Sequence, residues 1–87
     1  MEVELTEEEQ RGVAAIIYLQ AMAGIDEPPA KALAGWRGFR DGERQSTMNA
    51  FALMSSAREA AVLPDGDLEI TLFNKQIVRV PRKIEVV

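Results

Sequence analysis

Apolar and polar positions change period twice along the chain. Val3 and Leu5 alternate with Glu2 and Glu4, the two-residue period of a strand, which predicts a short one over 2–5. From Thr6 the period becomes helical. Thr6 and Glu9 have the spacing of a capping box, in which each side chain accepts from the other residue's backbone N–H. Glu7 and Glu8 fall in the first turn, where the helix dipole favours negative charge. This helix is expected over about 6–24, with Gly24 as its C-terminal stop. From Val13 to Ala23 it is apolar on nearly every face, so it is buried on more than one side. That fits a central helix or one in a subunit interface. Two later helices and a sheet are available to cover it, which favours the central position.

Asp26-Glu27-Pro28-Pro29 breaks the pattern, and proline is well placed in a helix's first turn, where its missing N–H costs nothing. A second helix is expected over about 29–39, with Leu33 and Trp36 on its inner face. Gly35 and Gly38 weaken it by about 1 kcal/mol each relative to alanine. Asp41 is the expected cap of a third helix over about 42–61. Its stripe is Ala50, Leu53, Met54, Ala57 and Ala61, widened by Met48 and Phe51. Pro64-Asp65-Gly66 then turns the chain.

Beyond that turn the two-residue period returns, and strands are expected over about 67–73, 77–81 and 83–87. A two-residue turn at Asn74-Lys75 would set Ile70 against Arg79. A three-residue loop, Asn74-Lys75-Gln76, instead pairs Leu72 with Val78 and Ile70 with Val80, and keeps one face apolar. The N-terminal strand is expected at the sheet edge. The fold class is therefore α+β: three helices followed by a small antiparallel hairpin or three-stranded sheet, in the order (β)αααββ(β). A chain of 87 residues is expected to make one small domain over 1–87. A core of that size has little margin, which makes a homodimer or a stable partner worth considering.

Composition narrows the chemistry. Cysteine and histidine are both absent, so disulfides, thiolate or imidazole metal sites, and cysteine–histidine or serine–histidine–aspartate catalysis are excluded. No P-loop pattern is present, and Ser46, Ser55 and Ser56 have no histidine to activate them. The carboxylates cluster at the N-terminus and in turns, where capping and solvation account for them. The expectation is a protein that is not an enzyme, with no cofactor, no metal and no small-molecule substrate. Met1 leads into an acidic stretch rather than the basic start of a secretory signal. The longest apolar run, Val13 to Ile25, is too short to span a bilayer and is interrupted by Gln20. A cytoplasmic location without membrane contact is expected.

Charge is unevenly spread. The net −4 divides into −6 over 1–27, +3 over 28–58 and −1 over 59–87. Such a split can steer a partner or draw two copies together head to tail; as plain surface it solubilises and complements a helix N-terminus. The basic middle holds the most unusual stretch, Gly35-Trp36-Arg37-Gly38-Phe39-Arg40-Asp41-Gly42-Glu43-Arg44, with the only tryptophan, three arginines and three glycines. Tryptophan and arginine are enriched at interface hot spots, which makes Trp36, Arg37, Phe39, Arg40 and Arg44 the candidate partner-binding residues. The competing reading puts Trp36 and Phe39 in the core at a helix–helix corner. There the glycines allow close packing and the arginines pair with Asp41 and Glu43.

Gly35-Trp36-Arg37-Gly38 has the G-x-x-G spacing of a KH loop, but the order of elements around it does not fit one. Helices followed by a hairpin also suggest a winged helix. The third helix offers Arg44, Gln45, Ser46, Thr47 and Asn49, and the hairpin region Lys75, Arg79, Arg82 and Lys83. An acidic net charge weighs against nucleic acid. The leading expectation is a small non-catalytic protein–protein interaction module, an accessory or regulatory subunit of a larger bacterial or phage assembly. A nucleic-acid-binding regulator of winged-helix type is the alternative.

Overall fold

The structure, a computed structural model, describes residues 1–56 and 59–86. Its elements are β1 (Glu2–Glu4), α1 (Glu7–Met22), α2 (Pro29–Gly38), α3 (Asp41–Ser56), β2 (Ala60–Val62), β3 (Leu68–Thr71), β4 (Ile77–Val80) and β5 (Lys83–Glu85). The class is α+β, three helices followed by small antiparallel sheets. Ala57, Arg58 and Val87, which the sequence reading put in the third helix and the last strand, lie outside the described residues.

α1 starts with the expected capping box. Glu9 N–H donates to Thr6 Oγ1 and Thr6 N–H donates to Glu9 Oε1, both at 3.1 Å. It ends at a Schellman turn. Gly24, at φ +79°, donates to the Ala21 carbonyl, and Ile25 N–H reaches back to that of Gln20. The middle of α1 is the centre of the core: Val13, Ala14, Ala15, Ile16 and Ile17 are all buried. α2, α3, β3 and β4 all pack against α1.

Trp36 of α2 fills the closest approach in that core and is 2% exposed. It lies directly over Gly12 of α1; a Cβ there would meet the indole at 2.3 Å. Burying an indole contributes roughly 4–6 kcal/mol before entropic costs. Gly12 is thus the glycine that permits close packing. Gly35, Gly38 and Gly42, to which the sequence reading gave that role, face open space.

The sheets differ from expectation in three ways. First, the third helix ends at Ser56, and Ala60–Val62 is a strand paired with β3 (Ala60↔Ile70, Val62↔Leu68). Alanine-rich sequence favours helix locally, but backbone pairing to a buried strand outweighs a propensity of tenths of a kcal/mol per residue. Second, the hairpin register is Leu68↔Val80 and Ile70↔Val78, two residues from the expected pairing. The loop does have three residues, but they are Phe73-Asn74-Lys75, closed by Leu72 N–H on the Gln76 carbonyl, with Lys75 at φ +68°. A shift of two keeps the same face inward, so Leu68, Ile70 and Val80 are buried as the pattern required. Third, β5 does not extend the meander β2-β3-β4. It pairs with β1 in a separate two-stranded sheet, Val3↔Ile84, that ties the two chain ends together.

Two polar side chains clip the layers together. Gln10, buried on α1, donates through Nε2 to the carbonyls of Gly66 and Val80, each at 2.9 Å. Arg44 of α3 donates to the carbonyls of Trp36 and Arg37 at the end of α2. At the start of α3, Asp41 is inside the first turn rather than the cap. Glu43 supplies the capping contact, accepting from Arg40 N–H at 3.1 Å.

Gly12→Ala tests this packing. In an ordinary helix the change gains up to about 1 kcal/mol. Here a loss of about 2–4 kcal/mol in urea unfolding is expected, because backbone and indole must separate.

Candidate functional site

The stretch singled out by sequence divides between core and surface. Trp36 is buried, and Phe39 is half-buried against it with ring centroids 6.4 Å apart. The Arg44 guanidinium lies 5.6 Å from the Trp36 ring while it caps α2, so Arg44 closes the core over the indole. Arg37 and Arg40 are exposed. Arg37 does not pair with Asp41 or Glu43: its Nε donates to Glu9 Oε2 at 2.8 Å, bracing the end of α2 against the start of α1. Partial burial raises the Glu9 pKa, but Arg37 and the Thr6 capping bonds outweigh it and hold this carboxyl below its ordinary value. The structure therefore brings the five residues together, but only Arg37 and Arg40 are open to a partner.

The described part of α3 does not present a basic face. Its one basic residue is Arg44, and Asp41 and Glu43 occupy its first turn. On the hairpin, Arg79 faces Asp65 and Asp67 at 3.7 and 3.8 Å. Among the described residues no cluster of acids could hold a metal ion.

A different surface stands out. Around the C-terminal end of α1, large apolar side chains are left uncovered: Leu19, Met22 and Ile25 from α1 and the turn after it, Leu53 from α3, and Phe73 from the β3–β4 hairpin. Leu53 is 74% exposed and Met22 61%. Two recesses flank this end of the helix. A groove of about 210 Å³ between α1 and α3 is walled by Leu19, Met22, Leu53 and Met54, with Tyr18 and Glu59 on its edge. A second, of about 280 Å³, opens between α1 and the hairpin. Sequence reasoning marked α1 as apolar all round and placed Leu53 in the inner stripe of α3. It did not separate the covered turns from the bare one, because that depends on where α3 stops.

Among the described residues, the ionisable groups on the first groove are Tyr18 and Glu59. Burial lifts the Tyr18 hydroxyl above the usual phenol range. A hydrogen bond to Glu59 and the charge of that carboxylate push the same way.

Comparison of the chain with protein-family models, with curated proteins and with solved structures gives no match.

Glu59→Gln should lower the Tyr18 pKa, since it removes the negative charge that opposes phenolate formation. The chain has a single tyrosine, so an ultraviolet pH titration reads it directly. An unchanged midpoint would mean that the two groups do not meet.

Proposed function

We propose that the chain is a non-catalytic, cytoplasmic protein-interaction module, an accessory or regulatory piece of a larger assembly, and that it engages its partner over the uncovered end of α1. One observation carries this reading: the apolar side chains exposed there are contiguous with two recesses rather than scattered. Apolar patches beyond a few hundred Å², rimmed by polar groups, mark interaction surfaces, and anchor side chains that fill small pockets dominate binding energy. The expected partner-binding residues enter this proposal unequally. Arg37 and Arg40 remain available as a peripheral basic contact, whereas Trp36, Phe39 and Arg44 hold the fold that presents the surface.

The test is capture from host lysate with the wild-type chain beside Leu53→Glu and Met22→Glu. Both positions are exposed, so neither change should move stability by more than about 0.5 kcal/mol. The expected result is a stoichiometric protein complex that survives nuclease and is lost with either variant. Arg37→Ala with Arg40→Ala should weaken it less. Capture unaffected by Leu53→Glu, or abolished by nuclease, would contradict the proposal. Sedimentation of the purified chain separates a second copy from a foreign partner, because self-association through this end would be lost in the same variants.

A further inference from the structure

The recess between α1 and the β3–β4 hairpin has a chemistry the apolar patch lacks. Its walls include Ile17, Ala21 and Leu72, and its polar side carries Asp26 and Glu27. Glu27 is only 8% exposed, unusual for a carboxylate. Its one hydrogen bond among the described residues comes from a neutral group, Gln20 Nε2 to Oε2 at 2.9 Å. Among the described residues no ion pair involves Glu27 or Asp26, and none that lines the recess is basic. Its other oxygen, Oε1, accepts from no protein group among the described residues and is not fully enclosed, and Glu27 is one of the residues that line the recess.

Local structure explains the negative charge but not the missing partner. Glu27 lies just before Pro28, the N-cap of α2, and a helix N-terminus favours an anion. The next two residues, Pro28 and Pro29, have no N–H, so they give Oε1 no donor. A largely buried carboxylate gains most from a partner that supplies both charge and hydrogen bonds, and a cation with N–H donors supplies both. Phe73 also lines the recess and is 58% exposed, an aromatic ring of the kind that attracts cations. The apolar walls suit a methylene stem, as when lysine and arginine lay their chains along apolar surface. The volume, roughly nine waters, is enough for one such side chain.

We infer that this recess receives a lysine or arginine side chain of the partner protein, its charged head on Glu27 Oε1 and Asp26 and its stem against Ile17 and Leu72. The assignment rests on the interaction-module reading and adds to it: the partner presents a basic residue beside its apolar contact. Phe73 and the hairpin tip then serve recognition, which accounts for a large aromatic in an exposed loop.

The probes are N-acetyl-lysine methylamide and N-acetyl-arginine methylamide, with N-acetyl-norleucine methylamide as the uncharged control. Each is titrated into the ¹⁵N-labelled full chain and followed by NMR. Saturable shifts are expected at the Gly24, Asn74 and Gln76 amides and at the Gln20 side-chain amide, with the norleucine probe about tenfold weaker. Glu27→Gln keeps the shape and should weaken the lysine probe by about the same factor. Asp26→Asn, at an exposed position that cannot threaten the fold, should weaken it by a smaller factor. Equal binding of lysine and norleucine probes would overturn the assignment. So would the absence of shifts while Leu53→Glu still abolishes partner capture, and that outcome would leave the interaction surface standing. Lysine binding together with capture that ignores Leu53→Glu would support the recess and overturn the apolar surface.

Discussion

Trp36 rests on the bare backbone of Gly12, nearer than a side chain at that position would permit. This contact sets the distance between the first two helices, and the remaining packing is arranged around it. Glu9 is joined to Arg37 on one side of the indole, and Arg44 lies over it from α3 while holding the last carbonyls of α2. Trp36, Arg44 and Phe39, whose ring packs beside the indole, look like part of an exposed binding patch but are taken up within the fold. In a small domain a single large aromatic can be worth a sizeable part of a net stability of only about 5–15 kcal/mol.

Close packing at the front of α1 has a consequence at its back. From Ala60 the chain is a strand beside β3 rather than more helix along α1. The last turn of α1 and the outer face of α3 are then too long for the core that covers them. Leu19, Met22 and Leu53 stay at the surface around one recess, and the hairpin tip bearing Phe73 lines the other. The same end of the molecule gathers Asp26, Glu27 and Glu59, and among the described residues no basic side chain lines either recess. An apolar surface edged with acids suits an apolar, basic partner better than nucleic acid, whose phosphates it would repel.

Much of this was legible in the residues. Thr6 and Glu9 announced the start of α1, Gly24 its end and Pro28-Pro29 the start of α2, because caps, left-handed turns and missing N–H groups are local effects. The two-residue period identified β3 and β4, and the identity of their inward faces survived a register that was off by two. What escaped was non-local. Ala60–Val62 becomes a strand only because β3 offers it partners. Gln10 reads as surface on a helix until the carbonyls of Gly66 and Val80 are brought over it. For the site, Trp36 and Arg44 had the composition of an interface but the surroundings of a core. Glu27 looked like turn punctuation, and its burial follows from the hairpin that closes beside it.

The central claim is that the front of α1 is sealed by Trp36 while its back is bare. Hydroxyl-radical footprinting of the dilute chain, read by mass spectrometry, tests both halves at once. Indole and thioether are both reactive toward the radical, so differences between them report access. The account predicts rapid oxidation at Met22 and Phe73 and protection of Trp36 and Met54. Oxidation of Trp36 as fast as that of Met22, or protection of Met22, would contradict it.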